Sequence, residues 1–261
     1  MAGADLSRPS AARVYDYYLG GSHNFAVDRD MAKQAIEMWP DLPRIIRSNR
    51  AFLRRAVQYL VGQGVRQFLD LGSGIPTVGN VHEIAQQAAP EARVVYVDID
   101  PVAVSHGRAI LSENPLVTFI QADLRDPARV LAEPALKDLL DLEEPVAVLM
   151  VAVLHFVPDG EDPRGLVRLY RDLVAPGSHL ALSHASADGH SEEGRSHEQL
   201  YARTPTPMSM RSHAQITMLL DGWDLVEPGL VHIPLWHPDP SDPSAGSEDT
   251  LVGYAAVGRK A

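Results

Sequence analysis

The sequence predicts an α/β fold: a mostly parallel sheet with helices on both faces, an antiparallel hairpin strand at its C-terminal edge and a helical cap before it. Three observations lead there. From Val65 onward, short apolar runs alternate with helical stretches, the βαβ order that builds a parallel sheet. Residues 1–64 show helical periodicity but no strand run. Near the end, two strand runs follow each other without a helix between them, the mark of antiparallel pairing at a sheet edge. The 261 residues are 45% hydrophobic, enough for one full core with a cap.

The elements justify themselves in order. Ala11 to Leu19 carries Val14, Tyr15, Tyr18 and Leu19 at helical spacing and stops at Gly20-Gly21. Asp28 to Met38 is a second helical stretch, closed by Trp39-Pro40. Leu42 to Val61 is a third, with an apolar stripe through Ile45, Phe52, Leu53, Val57 and Leu60. Strands are expected over Gln67–Leu71, Val94–Ile99, Val117–Gln121, Val146–Leu154 and His179–Ser183. Between them lie helices over Val78–Ala89, Val102–Leu111, Pro127–Leu140 and Pro163–Leu173. A helix over Arg211–Leu220 precedes the last two strands, Leu225–Val231 and Leu251–Val257, which a Pro/Asp/Ser-rich loop over His237–Asp249 joins. Ala185–Pro207 is expected to be a long polar loop over the site.

Composition excludes several function classes. The net charge of −11 disfavours general nucleic-acid binding. The one basic cluster, Arg44, Arg47, Arg50, Arg54 and Arg55, reads as the solvated face of a helix. Without cysteine there is no disulfide, no thiolate metal site and no thiol nucleophile. Met1 to Arg13 has no apolar signal core, and the most apolar run, Val146 to Val157, is too short for a bilayer span. A cytoplasmic protein, not membrane-bound, is expected.

In an open parallel sheet, ligands bind beyond the carboxyl ends of the strands. The first strand ends in Asp70-Leu71-Gly72-Ser73-Gly74. The glycines let a ligand approach bare backbone, while a carboxylate would repel a pyrophosphate and hold an ammonium. That combination points to S-adenosylmethionine rather than a dinucleotide. The second strand ends in Asp98-Ile99-Asp100, 28 residues after Asp70. Asp98 is the favoured partner of a ribose diol, Ile99 offers an apolar face to adenine, and Asp100 before Pro101 fits a helix N-cap. The third ends at Asp123-Leu124, where the acid either meets an adenine amine or caps a helix. The fourth ends at His155, either a proton acceptor or a packing residue.

Taken together, Leu69-Asp70-Leu71-Gly72-Ser73-Gly74, Val97-Asp98, Ala122-Asp123, Val153-Leu154-His155-Phe156 and Leu173-Val174-Ala175-Pro176-Gly177 resemble class I S-adenosylmethionine-dependent methyltransferases. The opening stretch from Pro9 to Arg29, with Tyr15-Asp16-Tyr17-Tyr18-Leu19-Gly20-Gly21-Ser22-His23-Asn24 at its centre, is similar to the start of one bacterial methyltransferase family long catalogued as a domain of unknown function. The resemblance implies a Rossmann-like seven-stranded sheet over 65–261 behind the 1–64 cap, and S-adenosylmethionine as cofactor. It implies that Asp70, Gly72 and Gly74, with Ser73 between the glycines, form the methionine end of the cofactor site, that Asp98 holds the ribose, and that Asp123 with Leu124 borders the adenine. One departure stands out: Pro76 occupies the position of a third glycine.

The resemblance does not name the acceptor. Cytosine C5 chemistry needs the missing cysteine, and a magnesium-type cation needs oxygen ligands that the ends of strands four and five do not offer. His179, His184, His190 and His197 have no compact ligand spacing. The acidic charge and the loops expected to roof the site lead to the expectation of a small-molecule acceptor with an O or N nucleophile, with no metal and no nucleic acid. Arg13, Tyr15, Tyr18 and Asn24 are candidates to close over methionine or acceptor, Tyr15 and Tyr18 being equally compatible with plain packing. The alternatives are a non-catalytic S-adenosylmethionine-binding protein and an NAD(P)-dependent oxidoreductase. The latter lacks its third glycine, Thr77 standing there.

Overall fold

The computed structural model describes residues 5–76, 79–240 and 251–261. Three helices open the chain: α1 (Ala11–Tyr18), α2 (Ala26–Met38) and α3 (Leu42–Gly62). Then follow β1 (Gln67–Leu71), α4 (Val81–Ala88), β2 (Arg93–Asp98), α5 (Pro101–Ile110) and β3 (Val117–Gln121). Next come α6 (Pro127–Ala132), α7 (Pro134–Lys137), β4 (Ala147–Val151), α8 (Pro163–Leu173) and β5 (His179–His184). The chain closes with α9 (Ser191–Tyr201), α10 (His213–Leu219), β6 (Asp224–Leu225), β7 (Val231–His232) and β8 (Tyr254–Arg259).

The sheet runs β3-β2-β1-β4-β5-β8-β6, with β7 also paired to β8. The first five strands are parallel, and β8 enters antiparallel beside β5. All five residues of β1 are buried, as a central parallel strand requires. Alternation then decides what each face sees. Leu69, Leu71, Val95, Val97 and Met150 pack with α8 and α10 on one face. Phe68, Val94, Tyr96 and Leu149 pack with α3 and α4 on the other. Asp70 and Asp98 share the parity of Phe68 and Tyr96, so the strands aim both acids to the α3 side.

The helices of the first 64 residues divide their loyalties. Phe52, Leu53, Val57 and Leu60 of α3 belong to the sheet core. Val14 and Tyr18 of α1 and Met31 and Ala35 of α2 form a separate cluster with Leu200 and Tyr201 of α9.

Four expectations change. The strand expected over Leu225–Val231 is two short strands, which raises the count from seven to eight. Both pair with the same edge of β8. Pro228 has no N–H to offer a ladder, and Gly229 turns the chain with φ +84° and donates to the Val226 carbonyl at 2.8 Å. The single helix expected over Pro127–Leu140 breaks at Pro134. The last residues of the run Val146–Leu154 leave the sheet, and Leu154–Phe156 form a 3₁₀ turn. The polar loop expected over Ala185–Pro207 contains α9, whose apolar side packs on α2. Most of the expected His237–Asp249 loop lies outside the described residues.

Candidate active site

The site is built at the carboxyl end of β1. Gly72 takes φ +70° and its N–H donates to the Val97 carbonyl at 2.8 Å. A Cβ there would fall 2.1 Å from Val153 Cγ2, so glycine is required on both counts. Gly74 takes φ +65° but faces open space. Its N–H donates to Asp98 Oδ2 at 2.7 Å, while the Asp100 N–H donates to Oδ1 at 2.8 Å. Asp98 thus fastens the glycine turn to the end of β2, and each oxygen keeps a lone pair.

Beyond this turn lies a cavity of about 270 Å³. Asp70, Gly72, Ser73, Gly74, Asp98 and Ile99 all line it, as do Asp123 and Leu124. Eight expected residues therefore meet around one space. Burial pushes the Asp70 carboxyl up to about 7; Arg50 opposes this and Asp98 adds to it. Burial likewise raises Asp98 to about 6, against the backbone N–H groups of Asp100, Gly74 and Ile99, while the Asp100 carboxylate adds to the rise. Both acids are poised to gain from a nearby cation.

Asp123 is placed differently from its neighbours. Arg125 Nε and Nη2 clasp its two oxygens at 2.6–2.9 Å, and the Arg125 N–H adds a third donor. Partial burial raises its pKa, but the Arg125 contacts outweigh this and hold it below the usual carboxylate value. Arg125 also pairs with Glu161 at 2.9 Å.

Among the wall residues that sequence reasoning missed, three stand out. Asn49 and Arg50 come from the stretch read as a solvated face, and Arg50 reaches Asn80 Oδ1 at 3.1 Å. Arg55 of the same cluster is buried against the Ile233 and Trp236 carbonyls. The available signal was the position of Asn49 and Arg50 one turn before Leu53 of the apolar stripe. Asp16 is the third: its Oδ2 accepts from the His23 N–H and Asn24 Nδ2, while its buried Oδ1 has no partner.

Arg13 and Asn24 line neither this cavity nor its neighbour. Arg13 is buried; it donates to Asp28 at 2.9 Å and to Asp100 at 3.4 Å. Ser10 Oγ donates to the same Asp100 oxygen. Asp100 also caps α5 by accepting from Val102 N–H at 2.7 Å. Arg13 and Asp100 therefore pin α1 to the end of β2, and Asn24 shapes the loop behind Asp16.

A second cavity of about 90 Å³ abuts the first. Tyr15, Asn49, Ala152 and Phe156 line both. Tyr18 and His155 line the smaller one alone. A directed chain of hydrogen bonds crosses the shared wall. The Ala152 N–H donates to Ser183 Oγ at 3.0 Å, and Ser183 donates to Asn49 Oδ1 at 2.6 Å. Asn49 Nδ2 donates to Tyr15 Oη at 2.9 Å. With Asn49 donating to its oxygen, Tyr15 keeps its hydroxyl proton free to donate onward. Ala152 sits at φ +55°, outside the ordinary range of an alanine.

Burial holds His155 well below the usual imidazole value, with His184 and Arg211 adding to it. Its Nδ1 faces the Ala185 N–H at 3.4 Å, which leaves the ring proton on Nε2. Arg211 Nη1 donates to His184 Nε2 at 2.8 Å and to the Leu154 carbonyl at 3.0 Å. The Arg211 side chain thereby fixes the turn that carries His155.

The sequence profile of the S-adenosyl methyltransferase family matches residues 2–261. The chain belongs to that family. A DUF574 family protein from Streptomyces avermitilis is 40% identical over 98% of this chain and 99% of its own, with a TM-score of 0.94. A putative methyltransferase from Thermobifida fusca is 39% identical over 99% of this chain and 97% of its own, TM-score 0.92. The N-methyltransferase NodS from Bradyrhizobium japonicum, in complex with S-adenosyl-L-homocysteine, shares the fold at 14% identity, covering 95% of this chain and 98% of its own, with a TM-score of 0.52. No protein of curated function matches the chain in sequence. The methyltransferase takes S-adenosylmethionine as cofactor, which decides against the dinucleotide alternative. The larger cavity fits such a group by its chemistry. It has a backbone cradle at Gly74 that a Cβ would enter, an unpartnered buried carboxylate oxygen on Asp16, and two acids raised by burial.

Proposed function

We propose that this methyltransferase acts on an O or N nucleophile of a small molecule, with cofactor and acceptor in the two abutting cavities. The observation that carries the reading is their shared wall at Tyr15, Asn49, Ala152 and Phe156. S-adenosylmethionine supplies an electrophilic methyl: its C–S electron pair stays on sulfur, the acceptor heteroatom's lone pair takes the methyl, and the acceptor's proton leaves to solvent.

The chain's own residues then divide the work. Asp70 holds the ammonium of the methionine moiety, with Gly72, Ser73 and Gly74 giving it backbone to lie against. Arg50 stands near Asp70, where a guanidinium serves a carboxylate. Asp98 keeps lone pairs for ribose hydroxyls. Ile99 and Leu124 flank adenine. Tyr15 presents its uncommitted hydroxyl proton at the junction. His155, held neutral, orients by donation from Nε2 rather than by taking a proton. Displacement at carbon gains most from alignment and exclusion of water, and both are supplied by enclosing walls.

Two measurements test the reading. S-adenosylhomocysteine raises the melting temperature, as a ligand specific for the native state must. With labelled methyl donor, label enters a small-molecule extract; label confined to nucleic acid or protein would overturn the acceptor class.

A further inference from the structure

We infer that the acceptor is an uncharged aromatic molecule: a ring of single-ring size bearing a hydroxyl or N–H, seated in the smaller cavity. This rests on the methyl-transfer reading above and narrows it.

Four features of the smaller cavity lead there. Among the described residues lining it, none is Asp, Glu, Lys or Arg. Its ionisable groups are held neutral by burial. His184 is pushed down to about 3 and His197 to about 4, His155 lies well below its usual value, and Tyr18 lies well above. Arg211, which donates to the lining His184, is engaged by Asp159 at 2.7 Å and by the Leu154 and Val157 carbonyls, and Glu198 accepts from the Met210 N–H at 2.6 Å. A carboxylate, phosphate or ammonium would therefore lose its hydration without a counter-charge in the lining to replace it.

The walls also select shape. Phe156 and Tyr201 stand 5.7 Å apart and His197 and Tyr201 5.0 Å apart, both tilted pairs, with Trp39 edge-on to His197 at 6.2 Å. Flat rings pack well against such faces. Met208 and Met210 close the remainder with adaptable thioethers. The volume of about 90 Å³ is of the order of one ring.

Among the side chains lining this cavity, His197 Nδ1 is buried without a partner, and Tyr18 Oη has only the neighbouring Tyr201 hydroxyl. Leaving such groups unsatisfied is costly, and a small neutral polar substituent on the ring would satisfy them. The nucleophilic O–H or N–H then lies at the other end, by Tyr15 and the larger cavity. Methylation there replaces the acceptor's proton, which leaves to water on the open side of the larger cavity.

The test uses the full chain saturated with S-adenosylhomocysteine at neutral pH and two phenols of matched size, 4-hydroxybenzyl alcohol and 4-hydroxybenzoate. Titration calorimetry and saturation-transfer NMR read their binding. The alcohol binds about tenfold or more tightly than the carboxylate. Met208→Trp, or Ile46→Trp should the first misfold, fills the cavity. Either variant abolishes binding of the alcohol and keeps S-adenosylhomocysteine affinity within about threefold. Equal binding of the two phenols, binding of neither, or alcohol binding that survives both fillings would overturn the inference. Failure of S-adenosylhomocysteine itself to bind would instead overturn the cofactor reading beneath it.

Discussion

The larger cavity is walled by Asp16, Asp70 and Asp98 with Arg50 opposite, while the smaller one beside it is walled by aromatic rings, methionines and neutral imidazoles. Both are made by the same fold, and they differ because different elements supply their walls. Parallel strands end in a row and bring their acids together at the larger cavity. The smaller one is enclosed by α1, α3 and α9, the end of β5 and the turn that carries His155 and Phe156. The contrast suggests a division of labour: charge fixes a cofactor that carries charge, and a charge-free neighbour selects an acceptor that carries none.

The largest effect expected is at Asp98. Asp98→Ala removes the acceptor of the Gly74 and Asp100 N–H groups as well as the lone pairs left for a ribose. S-adenosylhomocysteine affinity falls by about a hundredfold or more, and stability drops by about 1–3 kcal/mol for each buried donor stranded. Calorimetry and thermal melting measure the two losses. Unchanged affinity in a folded variant would break the assignment of charge to the larger cavity.

Next comes pH. The folded values of Asp70 and Asp98, about 7 and about 6, lie above the ordinary 3.8. For the ligand-free protein, their protonated forms favour folding below the unfolded value, and that contribution is lost as pH rises through about 4 to 7. A bound ammonium stabilises the ionised carboxylate, so binding releases protons and strengthens over the same range. The melting-temperature gain from S-adenosylhomocysteine therefore grows between about pH 5.5 and 8. Asp70→Asn flattens that dependence. A gain that shrinks with rising pH would contradict it.

Much of this contrast could be read from the residues alone on the charged side. Asp70, Gly72, Gly74 and Asp98 advertise themselves, because an acid or glycine ending an apolar run is conspicuous and strand ends converge by topology. The smaller cavity is silent in sequence. Its Trp39, Phe156, Tyr201 and Met208 look like ordinary core, and only tertiary packing shows that they enclose space. Asn49 and Arg50 were hidden for a related reason. A helix face is read by its periodicity, but which edge of that face meets the sheet's open end is decided by how α3 lies across it. The split of β6 from β7 needed Pro228 and Gly229 to be read as a turn inside a strand.

A smaller effect is expected at the shared wall. Ser183→Ala strands Asn49 Oδ1 and loosens the aim of Tyr15 without touching the larger cavity's acids. The turnover number falls about tenfold, S-adenosylhomocysteine affinity stays within about threefold, and Ser183→Thr restores part of the rate. Equal loss of affinity and rate would show that Ser183 serves only the fold.

The smallest effect is at the exposed rim, where it separates two roles for one acid. Arg125 side-chain exposure is 41%, and its pairs with Asp123 and Glu161 are open to water. Surface ion pairs contribute about 0–1 kcal/mol, so Arg125→Gln lowers the melting temperature by at most a few degrees. With Arg125 clasping both Asp123 oxygens, the acid has little left for an adenine amine. Asp123→Ala should therefore change S-adenosylhomocysteine affinity only a few-fold. A hundredfold loss on Asp123→Ala, together with tighter binding in Arg125→Gln, would mean that the ligand displaces Arg125 and that adenine is read by the carboxylate. Two titrations thus decide whether charge in the larger cavity reaches the base or stops at the ribose.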